Sequence, residues 1–262
     1  MEKLKLALVG SGKLNEIVAG ALENGLLADY ELVGVLGGKN KQKTADFAKR
    51  HQCQMCETIE ELMALKPDYT AEAAAVQAVV DYAETILKAG SNLVVLSIGA
   101  FADETFYEHI KEVAKKTNTR VHIASGAVGG FDVLRTASLM SSTKVSIVSD
   151  KDPEVAAKMD FVADDIKETK EVQPIFDGTT KGAIEKLPTQ MNVAIATALA
   201  SAGPEETTME IQAVPGFKGD RYRIVVEGEE VQTDLTIFSR TSAIAGWSVV
   251  AALQNAVGPF VF

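Results

Sequence analysis

Leu4-Lys5-Leu6-Ala7-Leu8-Val9-Gly10-Ser11-Gly12-Lys13-Leu14-Asn15 is the stretch whose reading decides the fold of this chain. A compact apolar run ends in Gly10. Apolar residues then recur at helical spacing through Leu14, Ile17, Val18, Ala21 and Leu22, up to Gly25, which closes the segment as a C-terminal cap does. The pattern is strand, glycine turn, helix. In such a turn Gly10 permits the tight bend and Gly12 lets the backbone approach a pyrophosphate. The free N–H groups and helix dipole at Lys13 and Leu14 favour an anion. The third glycine of the usual fingerprint is Asn15 here. A βα turn with no ligand is the plain alternative; its place as the first turn of a βαβ series favours the dinucleotide.

Outward from that turn the first half keeps alternating. Glu31–Leu36, Asp68–Ala73, Asn92–Ser97 and Arg120–Ala124 are short, nearly all-apolar strand candidates. Between them lie helical patterns over Lys41–His51, a segment capped by Thr58, Val76–Ala89 and Asp103–Lys116. Buried parallel strands joined by crossover helices have this signature. After the Gly-rich joint Ser125–Gly130 the pattern changes. Helical Phe131–Met140 and Thr189–Ser201 are interspersed with alternating segments at Lys144–Ser149, Thr208–Ala213, Arg221–Glu227 and Val231–Phe238, the last two joined by a Gly228-Glu-Glu turn. The expected class is α/β: a Rossmann parallel-sheet domain over 1–124 and a smaller α+β domain with a mainly antiparallel sheet over 125–240. An apolar helix within 241–262 is expected to return to the first domain.

Charge and composition exclude other classes. With 26 Lys+Arg against 36 Asp+Glu the net charge is −10, which argues against a nucleic acid partner. No apolar run reaches the roughly 18 residues that span a bilayer. The N-terminus lacks a signal peptide's apolar region, and two Cys make no disulfide framework, so a cytoplasmic location is expected. His51-Gln-Cys53-Gln-Met-Cys56 contains a CxxC, but no second pair exists to close a zinc site, and buried structural thiols are the expectation.

The end of the second strand bears on cofactor choice. An NAD site usually places a carboxylate there for the ribose 2′-hydroxyl. This chain has Leu36-Gly37-Gly38-Lys39-Asn40-Lys41-Gln42-Lys43, with no acid and three lysines. The expectation is NADP, with NAD possible and Lys39 a binding residue.

Several blocks occur in an order that resembles one family. They are Glu72-Ala-Ala-Ala75, Leu96-Ser-Ile-Gly-Ala100, Ser125-Gly-Ala-Val-Gly-Gly-Phe-Asp132, Phe176-Asp-Gly-Thr-Thr-Lys-Gly-Ala-Ile184 and Pro188-Thr-Gln-Met-Asn-Val-Ala194. Together they resemble L-aspartate dehydrogenase, a nicotinamide enzyme that oxidises L-aspartate to iminosuccinate. The resemblance implies a homoserine-dehydrogenase-like second domain, with Ala127 and Asn192 contacting the cofactor. The chain departs from the family's pattern in its second half. The catalytic His of an Asn-x-His-x-Ile strand is Tyr222 in Asp220-Arg221-Tyr222-Arg223-Ile224, and all three His (51, 109, 122) lie in the first half. The Asn of a Pro-Lys-Asn-x-Asn pattern is Gln190, and an Asn-Pro-x-Thr-Ser segment is Ser239-Arg240-Thr241-Ser242.

Tyr222 is therefore the catalytic candidate, with a packing tyrosine as the alternative. A phenol is a poor base at neutral pH unless cations assist it, and on a strand Arg221 and Arg223 point to the opposite face. Asp132 and Asp177 are further acid–base candidates, although Asp132 can instead cap the helix that follows it. Lys181, Arg221 and Arg240 are candidate cations for substrate carboxylates. Two functions remain open. One is hydride transfer between nicotinamide and a small amino or oxo dicarboxylic acid, by a homo-oligomer. The other is a nicotinamide-nucleotide-binding protein that has lost aspartate chemistry.

Overall fold

The computed structural model describes residues 2–187 and 191–262. It divides into two compact units, Met1–Gly126 with Ala243–Phe262, and Ala127–Ser242.

The first unit is a doubly wound sheet. Its strands are β1 (Leu4–Val9), β2 (Tyr30–Leu36), β3 (Gln54–Cys56), β4 (Tyr69–Glu72), β5 (Asn92–Val95) and β6 (Val121–Ile123). They run parallel in the order β3-β2-β1-β4-β5-β6. Its helices are α1 (Lys13–Glu23), α2 (Lys41–Arg50), α3 (Ile59–Ala64), α4 (Val76–Lys88) and α5 (Glu104–Thr117), with a 3-10 turn at Ile98–Ala102. The apolar run of β1 is a central strand: Leu6, Ala7 and Leu8 are fully buried. Each such Leu stabilises the fold by about 1.5–3 kcal/mol. Gly25 and Gly90 end their helices at positive φ, 75° and 86°, as glycine caps do. Thr58 accepts from Glu61 N at 3.2 Å and so starts α3.

The last helix, Ala243–Val257, belongs to this unit and packs on α1. A Cβ on Gly246 would lie 2.7 Å from Ile17 Cδ1, so the two helices meet at a glycine. The buried Tyr30 hydroxyl donates to Leu253 O at 2.8 Å and fixes the far end.

The second unit holds α6 (Phe131–Met140), β7 (Lys144–Lys151), α7 (Pro153–Ala156), β8 (Gln173–Thr179), α8 (Thr180–Lys186), α9 (Asn192–Leu199), β9 (Thr207–Ala213), β10 (Asp220–Glu227) and β11 (Gln232–Ser239), which makes Ala243–Val257 α10. The sheet order is β11-β10-β7-β9-β8. Only the β7–β9 pair is parallel. Helices α7 and α8 stand where the sequence marks none, and two strands differ from expectation. Strand β8 is an edge strand whose Pro174 and register shift blur its alternation. Strand β7 runs on past Ser149 through Asp150 and Lys151, because β10 and β9 hold its polar end by backbone pairing. The expected helix from Thr189 begins outside the described residues and is seen as α9 from Asn192. Among the described residues no helix is long and apolar enough to cross a membrane.

Candidate active site

In the first unit the turn after β1 lies where the sheet's strand order reverses, the place at which doubly wound sheets bind ligands. Gly10 has φ +104°, and a Cβ there would sit 2.9 Å from Ala73 O, so only glycine fits. Its N–H donates to Leu36 O at 2.7 Å. Gly12 is the N-cap of α1 in extended conformation, φ −90° and ψ 179°. A Cβ on Gly12 would meet nothing within 4 Å. The turn thus leaves open space against the N–H groups of the first helical turn, which have no intrahelical acceptor. The side-chain-free surface at Gly12 and the helix N-terminus fit a pyrophosphate.

Asn15 replaces the third glycine and gives that turn a different support. It is fully buried, and its Nδ2 donates to Val9 O at 2.9 Å and Gly10 O at 2.8 Å. The amide ties down the carbonyls at the end of β1. Lys13 is exposed and Leu14 packs on the core, so what these two offer an anion is backbone N–H.

A cavity of about 580 Å³ opens from Gly10 and Gly12 along the end of β2, past Gly38, Lys39 and Lys43, to Ala75 on the far wall. Gly37 carries no side chain for a steric reason: a Cβ would lie 1.8 Å from Thr44 Oγ1. Thr44 is itself buried and shares a 3.0 Å hydrogen bond with Ser11 Oγ. Lys41 is turned to Glu57 at 2.5 Å. Of the three lysines after the strand, Lys39 and Lys43 line the cavity.

Glu72, which the sequence offers only as part of a family block, holds the far wall in place from behind. It is 1% exposed at the end of β4. One carboxylate oxygen accepts from Ala74 N, Ala75 N and Ser97 Oγ at 2.7, 3.0 and 2.8 Å; the other accepts from Ser97 N at 3.0 Å. Burial pushes its carboxyl above the usual range, although these hydrogen bonds work the other way. A buried acid directly before a small-residue run is a signal the sequence carried.

The second unit contains Ala127, which opens it, Asn192 at the first turn of α9, and Tyr222. Tyr222 lies on β10 opposite Ser149 of β7 and Ile237 of β11. It shares a buried face with Ile224 and Val226. Arg221 and Arg223 are on the other face, as period-two geometry requires. Arg221 pairs with the buried Asp150 and stacks over Phe217 at 5.3 Å; Arg223 pairs with Asp234. Neither reaches the phenol.

The cation at Tyr222 comes from the neighbouring strand. Ser149 faces Tyr222, so Lys151, two residues on, lies on the same side of the sheet. Its Nζ donates to the Tyr222 hydroxyl at 3.3 Å and to Asp220 Oδ1 at 3.2 Å. Burial opposes the Lys151 ammonium, but Tyr222 and Asp220 together more than offset it and hold its pKa above the usual lysine value. Two hydroxyls flank this cluster, Ser149 Oγ opposite Tyr222 and Ser239 Oγ opposite Asp220. Both are buried and without a hydrogen-bond partner among the described residues.

The other candidates are dispersed. Asp132 is exposed in the first turn of α6, where Gly130 rather than Asp132 holds the N-cap position; Asp177 is exposed on β8. Lys181 pairs with Glu205 at 2.5 Å, and Arg240 is exposed. Gln190 lies outside the described residues. His51 is held by Glu16 and Glu23, His109 lies against Glu84, and His122 is half-buried on β6. Burial pushes the Cys53 thiol up to about 11, and among the described residues no cluster of His, Cys, Asp or Glu is set to hold a metal.

Comparison with known proteins agrees with this geometry. Residues 8–124 match the homoserine dehydrogenase NAD-binding domain, and residues 132–256 match the aspartate dehydrogenase C-terminal domain. L-aspartate dehydrogenase of Archaeoglobus fulgidus is 32% identical over 95% of this chain and 96% of its own. The Methanococcus maripaludis (strain S2) enzyme of the same name is 29% identical over 98% of both. The crystal structure of aspartate dehydrogenase from Thermotoga maritima superposes with a TM-score of 0.80 at 23% identity, covering both chains fully. Fold, cradle and matches define the class, an NAD(P)-dependent oxidoreductase. Within that class the chain belongs to the L-aspartate dehydrogenase family.

Proposed function

We propose that this enzyme interconverts a small amino dicarboxylic acid, L-aspartate by analogy with its relatives, and the corresponding imino acid, with NADP preferred over NAD and Tyr222 as the proton-transfer group. The observation that carries the reading is the Lys151–Tyr222 hydrogen bond on a face with unpartnered hydroxyls. The ammonium, already paired with Asp220, also reaches the phenol oxygen and gives Tyr222 a polar partner on a face it otherwise shares with Ile224 and Val226.

Residues 1–124 form the cofactor part in this reading and 125–240 the substrate part. Gly10, Gly12, and the N–H groups of Lys13 and Leu14 hold the pyrophosphate; Ala127 and Asn192 are assigned cofactor contacts from the family resemblance. No carboxylate stands at Gly37, which has no room for a side chain, or at Gly38 to bind an NAD ribose, and Lys39 and Lys43 offer cations to a 2′-phosphate. A bound nicotinamide would supply the hydride acceptor, or in reverse the donor, for the substrate Cα. In the reductive direction the substrate nitrogen gains one proton, and the Tyr222 O–H is the group proposed to give it; in the oxidative direction the phenolate oxygen left by that step takes the proton back. The working form proposed is a cytoplasmic homo-oligomer; the eight-residue edge strand β11, with no strand on its outer side among the described residues, supports self-association.

Initial rates with L-aspartate, and with oxaloacetate plus ammonia, test this with both cofactors. Tyr222→Phe should lose about 10²–10⁴-fold in kcat. Its NADPH affinity should stay that of wild type, and Tyr222→His should regain part of the loss. Full activity in Tyr222→Phe would show that the proton goes elsewhere.

A further inference from the structure

The geometry points to Lys151 as a positioning residue for the reaction, one that acts through Tyr222: its ammonium, anchored on Asp220, holds the Tyr222 hydroxyl as a hydrogen-bond acceptor so that the phenol's own proton is directed at the substrate. This inference rests on the reading of Tyr222 as the proton-transfer group and deepens it.

The stereochemistry is simple. An ammonium has three donors and no acceptor. When Lys151 Nζ lies 3.3 Å from Tyr222 Oη, the phenol oxygen must accept, and its own O–H must point away from Lys151. Asp220 Oδ1 at 3.2 Å takes a second ammonium proton and fixes the direction of the lysine. The three groups stand on one face of adjacent strands, with Asp220 and Tyr222 two apart on β10 and Lys151 on β7. All three residues belong to paired strands, so the hydrogen bond does not depend on a loop. The Lys151 side chain is only 15% exposed, which keeps water from competing for it. Ser149 across from Tyr222 has an unpartnered buried hydroxyl but no charge, and Arg221 and Arg223 lie on the other face. Lys151 is thus the cation placed to assist the phenol.

A lysine at this place also has a rival role, direct binding of a substrate carboxylate. The two roles give different kinetics. A group acting through Tyr222 changes kcat and has no effect once Tyr222 is gone. A group binding a carboxylate raises the substrate KM and adds its effect to that of Tyr222→Phe.

The test is a double-mutant cycle with Lys151→Met, Tyr222→Phe and both, measured in the full-length enzyme in both directions, with oxaloacetate, ammonia and NADPH and with L-aspartate and NADP, after circular dichroism has checked folding. Loss of a charge-assisted hydrogen bond should lower kcat about 10- to 100-fold in Lys151→Met, with substrate KM and NADPH affinity near wild type. Lys151→Arg should recover most of that, and Lys151→Met should add nothing to Tyr222→Phe. If Lys151→Met is fully active while Tyr222→Phe is not, the lysine inference fails and the tyrosine reading stands. Additive losses with a raised substrate KM also overturn it, in favour of carboxylate binding. A fully active Tyr222→Phe overturns the underlying reading itself. Should Lys151→Met fold poorly, Lys151→Gln, which keeps a donor without the charge, takes its place in the same cycle.

Discussion

Gly12→Val separates cofactor binding from folding, and its magnitude follows from the turn. Gly12 is in ordinary extended conformation, and a Cβ there meets no protein atom within 4 Å. The cost to the fold is then confined to replacing glycine by valine at an N-cap, about 1 kcal/mol. The bulk added there fills the space a pyrophosphate must enter to come within hydrogen-bond reach of the helix N–H groups. Two lost charge-assisted hydrogen bonds at about 1.5–3 kcal/mol each give about 3–6 kcal/mol. That is a loss of roughly 10²–10⁴ in affinity. Gly10→Ala should behave in the opposite way. Its φ of +104° and the Ala73 carbonyl 2.9 Å from the new Cβ put the damage in the fold itself, about 1–3 kcal/mol or more. Titration calorimetry with NADPH and NADH reads the first effect; thermal unfolding reads the second. A folded Gly12→Val that binds NADPH like wild type would refute the argument, and so would a Gly10→Ala as stable as wild type.

Three further outcomes are expected. Lys39→Glu with Lys43→Glu should weaken NADPH far more than NADH, while Lys41→Glu, whose parent lysine pairs with Glu57, should change neither; equal effects on both cofactors would sink the 2′-phosphate reading. Because burial raises the folded-state pKa of Glu72, the native state holds its proton more tightly than the unfolded chain does. The stabilising contribution is therefore complete below the unfolded value of about 4.3 and is lost as pH rises through the folded one. Denaturant titrations should show the stability of wild type relative to Glu72→Gln falling from acid toward neutral pH, and a flat difference would contradict the assignment. Burial also holds the Cys53 and Cys56 thiols protonated, so a thiol reagent at pH 8 should modify the native chain much more slowly than the unfolded chain; rapid native labelling, or zinc binding, would overturn the structural role.

What the sequence determined by itself was whatever depends on near neighbours in the chain. The span of β1, the start of α1 and the glycine stops at Gly25 and Gly90 follow from hydrophobic periodicity and from single backbone conformations. The span of α6 was legible in the same way, because its apolar spacing is local. The placement of Tyr222 with Ile224 and Val226 on one face needs only the two-residue period of a strand. Contacts across the sheet were not legible. Lys151 falls beyond the strand that sequence alternation marks over Lys144–Ser149, because a polar Asp-Lys pair ends that run, and only pairing with β9 and β10 keeps that end in the strand. Thr44 beneath Gly37, and the Glu72 carboxylate spanning two loops, likewise join residues far apart in the chain. Periodicity tells which way a side chain faces, but only the packing of one strand or helix against another decides which group it meets there.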